Sequence, residues 1–486
     1  MSEIRTPEWV KDAVFYQIFP DRFAKSDAVP KPSNLESWDS PPTVYGFKGG
    51  DLLGVADHLD YLVDLGINAI YFNPIFQSAA NHRYHTHDYY QVDPILGGNA
   101  ALRTLLDEAH RRGIRIVLDG VFNHASRGFF QFNHILENEG ASPYLNWFHV
   151  SRYPLHCYEE QHKPGYEAWA GLRALPKFNT DTPAVREFLW GVGEHWIREG
   201  MDGWRLDVPA EIKDDAFWQE FRRRVKTANP EAYIVGEIWT ESQHWLQGDQ
   251  FDAVMNYLFT NACLSYFARE TLDTELAHQV WSYKTLTPRA LSDFAMEIQR
   301  ILGLYHPEVN AVQMNLLDSH DTPRFLTLAR GDESAFRLAT LFQMTYPGAP
   351  CVYYGDEIGL EGRHDPDCRR TFSWDPSRWN QALHNYVKRC ISLRRTHPAL
   401  RRGSFTPLLA RDDVYAFARQ MGKETFIVIL NASRSSKKVS IPLPQDMQGP
   451  AAFKDVWSRE DFRIEANVLG TIHLPAREGR VLAAIR

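Results

Sequence analysis

Apolar residues along this 486-residue chain follow two periods in alternation. Short runs dense in β-branched and aromatic residues read as strands: AVFYQIFP (13–20), INAIYFN (67–73), IRIVLDGV (114–121), GWRLDV (203–208), AYIVGE (232–237), FDAVMNY (251–257), AVQMNLLDS (311–319) and PCVYYGD (350–356). Between them lie segments patterned as helices, such as ALRTLLDEAHRRG (101–113) and AVREFLWGVGEHWIREG (184–200), several of which end in Gly. Eight strands alternating with helices predict an α/β protein built on a (β/α)8 TIM barrel.

One interval breaks the rhythm. The third and fourth runs are separated by far more chain than a βα unit requires, and the excess is rich in aromatic residues, Pro and His. A small domain inserted after strand 3 is predicted there, over 125–178. Past 402 the helical pattern stops, and DVYAFARQM, TFIVILNAS, KKVSIPLP, TIHLPA and VLAAIR predict a C-terminal antiparallel β-sandwich. The domain plan is therefore barrel (1–124), insert (125–178), barrel again (179–401) and sandwich (402–486).

Composition narrows the classes. The chain is 44% hydrophobic and 23% charged with net charge −8, an ordinary globular balance. No Lys/Arg block suggests a nucleic-acid or membrane partner, and no apolar run approaches the ~18 residues of a membrane span. The start, MSEIRTPEWVKDAVFYQIFP, lacks the basic-then-apolar layout of a signal peptide. Five scattered cysteines without metal-type spacing fit a reducing compartment. A cytoplasmic protein without metal or cofactor is expected. Aromatic residues make up 13% of the chain, with 14 Trp, and such faces suit the C–H faces of sugar rings.

Barrel active sites lie at the carboxyl ends of the strands. The polar residues there are Asp119, Asn123 and His124 after strand 3, Arg205 and Asp207 on strand 4, Glu237 on strand 5, and His320 and Asp321 after strand 7. In MDGWRLDVPAEI (201–212), strand alternation sends Arg205 and Asp207 to one face and Trp204 and Leu206 to the other. Such an ion pair can be structural or catalytic. Several carboxylates converging on one mouth repel one another, a cost that a purely structural site avoids. Carboxyl groups with separated pKa values are what glycoside hydrolysis requires.

DGVFNH, GWRLDVPAE, VGEIW and NLLDSHD resemble, in order, the four conserved regions of the α-amylase family of glycoside hydrolases. LPKFN (175–179) resembles the MPKLN signature of its neopullulanase, cyclomaltodextrinase and maltogenic amylase subfamily, and FYQIFPDRFA, GFKGGDLLGV and GAPCVYYGDEIG add to the likeness. The resemblance implies Asp207 as nucleophile, Glu237 as general acid/base, Asp321 as the third, transition-state-stabilising carboxylate, and Arg205 as the cation that holds Asp207 ionised. It implies a retaining double displacement, for which the two carboxyls stand about 5–5.5 Å apart. His124 and His320 match the histidines that hydrogen-bond the reacting glucose. Tyr89 matches the platform tyrosine beneath its ring, core packing being the alternative. Trp239 stacks on an acceptor sugar or merely packs. Asp365 and Arg369 match a pair gripping the donor glucose, a surface salt bridge being the alternative. His85, His87, His156 and His162 fall on loops and read as solvated.

The chain also departs from the subfamily. Its first barrel strand begins about ten residues in, which argues against the N-terminal β domain that mediates dimerisation and narrows the cleft in relatives, so bulkier polymers are expected to enter. The usual VANE after the nucleophile is VPAE (208–211), which puts Ala210 in place of Asn. Relatives often bind calcium in a loop like FANGDPSNDP; FAKSDAVPKP (23–32) keeps Asp27 but sets Lys25, Pro30 and Lys31 at other ligand positions. The expected activity is hydrolysis of α-1,4 and some α-1,6 bonds in maltooligosaccharides, pullulan or amylose. Debranching at α-1,6 bonds, transglycosylation and a non-catalytic scaffold are the alternatives.

Overall fold

The structure, a computed structural model, describes residues 4–447 and 451–485; the outer limits expected for the first and last domains, residue 1 and residue 486, lie outside the described residues. Strands β1 (Phe15–Ile18), β2 (Ala69–Phe72), β3 (Arg115–Gly120), β4 (Gly203–Leu206), β5 (Tyr233–Gly236), β6 (Ala253–Val254), β7 (Met314–Leu316) and β8 (Ala349–Tyr353) pair in parallel in the order β6-β5-β4-β3-β2-β1-β8-β7. A parallel bridge between Met255 and Met314 closes the cylinder between β6 and β7. Seven of the strands lie within the runs expected from the sequence, β8 begins one residue before its run at Ala349, and the (β/α)8 barrel is present.

Alternation explains why these runs are apolar throughout. Phe15, Ala69, Tyr71, Val117, Tyr233, Val235, Met314 and Leu316 form one cluster that fills the barrel. Their neighbours Tyr16, Ile70, Ile116, Leu118, Trp204, Leu206 and Ile234 belong to a second cluster, shared with the surrounding helices. Parallel strands covered on both faces have no solvated side to mark. At the amino-terminal end Trp9 plugs the barrel, its ring 5.8 Å from Phe15 and 6.1 Å from Tyr233. Toward the carboxyl ends the filling turns polar, with Gln17, Asp119 and Arg205 all buried. That change of layer is the floor of the site.

Two excursions rise above this floor. After β2, Phe76–Ser78 pairs antiparallel with Thr86–Val92, and residues 79–85 connect them. After β3 comes a stretch with one α-helix, Phe130–Asn138, several 3-10 turns and isolated bridges such as Phe148 to Phe178. Its own small core includes Phe132 against Phe148 at 4.9 Å and Phe148 against Phe178 at 5.2 Å.

The C-terminal part holds eight antiparallel strands: β9 (Ser404–Arg411), β10 (Val414–Met421), β11 (Glu424–Asn431), β12 (Lys437–Pro442), β13 (Ala452–Asp455), β14 (Asp461–Glu465), β15 (Val468–Leu474) and β16 (Glu478–Ile485). Val414, Ala416, Ile427 and Ile429 cluster with Val439, Ile441, Leu469 and Ile472, so the sheet folds over a core of its own. The opposite faces of β10 and β11, through Phe417, Val428 and Leu430, join the barrel's outer core. Strands β9, β13 and β14 were not expected from the sequence. Among the described residues no helix is long and apolar enough to cross a membrane, and all five cysteines are free and buried.

Candidate active site

Arg205 stands at the centre of the floor with no exposed surface. Its Nη1 donates to Asp119 Oδ1 at 2.8 Å and to Asp207 Oδ1 at 3.0 Å, and its Nη2 lies 3.1 Å from Glu237 Oε2. Strand register produces this: Arg205 and Asp119 are paired positions on β4 and β3, and Asp207 follows Arg205 on the same face. One guanidinium thus touches three carboxylates, two of which the sequence marked as reactive. Glu237 is fixed twice more. Its Oε2 accepts from the Val208 amide at 3.0 Å, and its Oε1 accepts from Trp239 Nε1 at 3.2 Å.

Val208 adopts φ 36°, a left-handed conformation that a β-branched residue rarely takes. The turn aims its N–H at Glu237. Strain of this kind is held in place by surrounding structure and concentrates at functional sites.

The third carboxylate, Asp321, is partly open to the cleft and lies 3.1 Å from His320 Nε2 and 3.5 Å from Arg369 Nη2. His320 is buried, with Nδ1 2.9 Å from the Gln17 amide nitrogen. That nitrogen is a donor, so Nδ1 accepts and the ring proton sits on Nε2. Arg369 donates from Nε to the His320 carbonyl at 2.9 Å and pairs with Asp365 at 3.0 Å. Arg369 is buried, not a surface residue, and it ties Asp365 to the loop of Asp321.

Electrostatics follow from crowding. Burial pushes the Asp207 carboxyl well up, Arg205 opposes it, and Glu237, Asp119 and Asp321 add to the rise. Burial, and then Glu237, raise Asp321 to about 7. Arg205 pulls the Asp207 carboxyl down, but burial outweighs it, so the expectation that the cation alone holds Asp207 ionised is not met. Buried acids this close do not titrate independently, and burial holds both Asp207 and Asp321 above the ordinary carboxylate range.

One expected residue fails. Tyr89 is fully buried, its hydroxyl donates to the His124 carbonyl at 2.8 Å, and its ring lies among Phe122, Phe129 and Phe188. It is core and cannot lie beneath a substrate. Tyr84, five residues earlier, occupies the site instead. Its ring is parallel to His320 within 7° at 5.6 Å, and its hydroxyl is 2.8 Å from Asp119 Oδ2 and 2.6 Å from His320 Nε2. Gln17, at the end of β1, was also missed. Trp239 is half-buried and stacks on Tyr257 at 3.4 Å. His124 stacks on Trp169 from the inserted stretch at 5.2 Å, and its Nε2 has no hydrogen-bond partner among the described residues. Burial lowers that ring to about 3, so it is neutral. His85 and His87 are half-buried, with pKa values lowered mainly by burial.

The loop that resembles a calcium site does not fit a cation. Lys31 Nζ lies 2.9 Å from Asp51 Oδ2 and 2.8 Å from the Ile95 carbonyl, so an ammonium already takes those oxygens. Asp27 is exposed. Among the described residues no group of three or more His, Cys, Asp or Glu is placed to hold a metal.

Comparison with known proteins gives the kinship. Residues 17–402 match the model of the α-amylase catalytic domain, and residues 405–481 match that of the maltogenic amylase C-terminal domain. The chain is 44% identical to a cyclomaltodextrinase of Geobacillus thermopakistaniensis, over 99% of this chain and 78% of that protein. Among solved structures, Ttha1563 from Thermus thermophilus superimposes with a TM-score of 0.94 at 49% identity, over 98% of this chain and 100% of that one. The native form of a Nostoc punctiforme debranching enzyme gives 0.91 at 49% identity, over 99% and 100%. With its catalytic domain matched nearly end to end, the chain belongs to the α-amylase family of glycoside hydrolases.

Proposed function

We propose that this enzyme cleaves α-glucosidic bonds with retention of configuration, with Asp207 as nucleophile, Glu237 as acid/base and Asp321 as the stabilising third carboxylate. The observation that carries this reading is the single Arg205 guanidinium touching both Asp207 and Glu237. A nucleophile must be ionised and an acid protonated; the cation favours ionisation, while the neighbouring Glu237 carboxyl opposes the charge on Asp207. An Asp207 oxygen attacks the anomeric carbon while Glu237 gives its proton to the departing glycosidic oxygen. The resulting glycosyl ester is opened by water, which loses a proton to Glu237, and Asp207 leaves as carboxylate. His124, His320, Arg369 and Asp365 hold the donor glucose in this scheme, Tyr84 lies beneath it, and Trp239 steadies Glu237 beside the acceptor. The stretch 125–178 walls one side through Trp169.

The substrate is an α-glucan, cut at α-1,4 bonds and at some α-1,6 bonds. The likeness to a cyclomaltodextrinase supports the first linkage and that to a debranching enzyme the second. Five buried thiols suit a reducing compartment, and we place the enzyme in the cytoplasm. Pullulan carries both linkages and tests the reading. Release of panose reports α-1,4 cleavage and maltotriose α-1,6 cleavage, and proton NMR of the first product should show the α-anomer. A β-anomer formed first would overturn the double displacement.

A further inference from the structure

Behind the reaction centre two carboxyl groups face each other. Asp318 follows β7, two residues before His320, and Asp356 opens the turn after β8; they are 2% and 6% exposed. The two side chains lie within hydrogen-bonding reach of each other. Asp318 Oδ2 accepts from the Phe325 amide at 2.6 Å, while Oδ1 has no donor among the described residues. Asp356 Oδ1 accepts from Arg324 Nη1 at 2.7 Å. Arg324 is fully buried, donates from Nε to the Cys368 carbonyl at 3.1 Å and lies over the Tyr353 ring at 4.1 Å. The other titratable groups facing the pair are Glu357, Tyr283 and Cys351. Glu357 is engaged elsewhere, by the hydroxyls of Tyr16 and Tyr61.

Two ionised carboxylates have no hydrogen to share, and both offer only lone pairs. A single arginine here faces the two of them. We propose that Asp318 and Asp356 share one proton, and that this bridge, tied to Arg324, positions the loop of His320 and Asp321 against the loop of Asp365 and Arg369. The proton fills the orphaned Oδ1. Arg324 then runs from the bridged pair to the carbonyl before Arg369, whose own Nε holds the His320 carbonyl. Burial raises both carboxyls above the usual range, in keeping with a retained proton. Asp318 is thus a positioning residue that acts through Asp321. The inference rests on the proposed role of Asp321, but the stability measurement below does not.

Asn matches a protonated Asp in shape and carries an N–H that does not titrate. Asp318→Asn should keep kcat within about threefold of the parent, whereas Asp318→Leu should lower kcat at least tenfold with KM nearly unchanged. A carboxyl held above its ordinary pKa keeps a proton that the unfolded chain releases, so the parent loses stability as pH rises through that interval. The melting temperature of Asp318→Asn relative to the parent should therefore climb as pH rises above the ordinary carboxylate range. A difference independent of pH, or an Asn variant as impaired as the Leu variant, would overturn the proposal. If the Leu variant does not fold, the pH series on the Asn variant decides. That series also stands if the parent proves inactive on α-glucans, so the two readings can fail separately.

Discussion

Tyr84 and His320 lie with parallel rings, and the phenol oxygen is 2.6 Å from Nε2. With the ring proton on Nε2, His320 donates to Tyr84, and Tyr84 donates onward to Asp119. The relay begins at Gln17 and ends on the carboxylate that shares Arg205. Tyr84→Phe cuts it at its middle. A hydrogen bond to a charged group is worth about 1.5–3 kcal/mol, so kcat/KM on maltooligosaccharides should fall about 10–100-fold. Tyr89→Phe should leave kcat/KM within a factor of about two and cost about 1 kcal/mol of stability for the lost bond to the His124 carbonyl. Urea melts with steady-state kinetics on both variants separate the two tyrosines; equal kinetic losses would refute the assignment.

Glu237→Gln should lower kcat on maltooligosaccharides about 10²–10⁴-fold, because the amide cannot protonate the leaving oxygen. The amide can still accept from the Val208 N–H, so binding should survive. Calorimetric titration with a maltooligosaccharide, beside the rate assay, checks both halves. More than a tenth of the activity remaining would remove Glu237 from the acid role.

Asp321, raised to about 7 from an ordinary 3.8, holds a proton in the folded chain that the unfolded chain gives up. Its contribution to stability therefore falls as pH rises across that window. Asp321→Asn removes the titration and should stabilise the protein at pH 8 relative to pH 4. The expected gain is about 2–4 kcal/mol, since a tenfold change in proton affinity is worth about 1.4 kcal/mol. Denaturant melts of parent and variant at both pH values give the comparison. A stability gain that is the same at pH 4 and pH 8 would contradict it.

Lys31 makes a metal-related prediction in its own right. EDTA should leave the melting temperature unchanged, and calcium should add nothing. Lys31→Met leaves the buried Asp51 carboxylate without its ammonium and should cost about 2–3 kcal/mol, since hydrogen bonds to charged groups are the strong ones. Scanning calorimetry with and without chelator decides, and a fall with EDTA that calcium reverses would refute the claim.

The barrel strands were legible because each is buried on both faces, so unbroken apolar runs marked them. Strand β9 was not: its pattern is half-exposed from Ser404 to Arg411 and offers neither period. Strand β14, Asp461–Glu465, buries only Phe462, and β13 spans just Ala452–Asp455. The residues that meet at Arg205 were legible through short motifs on strand ends, where local sequence and position coincide. Tyr84 was not, because YHTHDYYQVDP holds three tyrosines and the choice depends on an irregular hairpin whose register shifts between Phe76 and Ser78. Nothing in NLLDSHD distinguishes Asp318, whose partner Asp356 is distant in sequence and follows the neighbouring strand β8.

Val208 carries a wider consequence. Its left-handed turn sets where the amide meets Glu237, so one hold on that carboxyl is a main-chain hydrogen bond. The placement of one carboxyl relative to its partner is what separates a covalent from a single-displacement outcome in glycoside hydrolysis. Pro209 locks the following φ and disfavours helical relaxation at Val208 itself. Residues lining the mouth can therefore vary without loosening this hold on Glu237, which comes from the backbone and not from a neighbouring side chain.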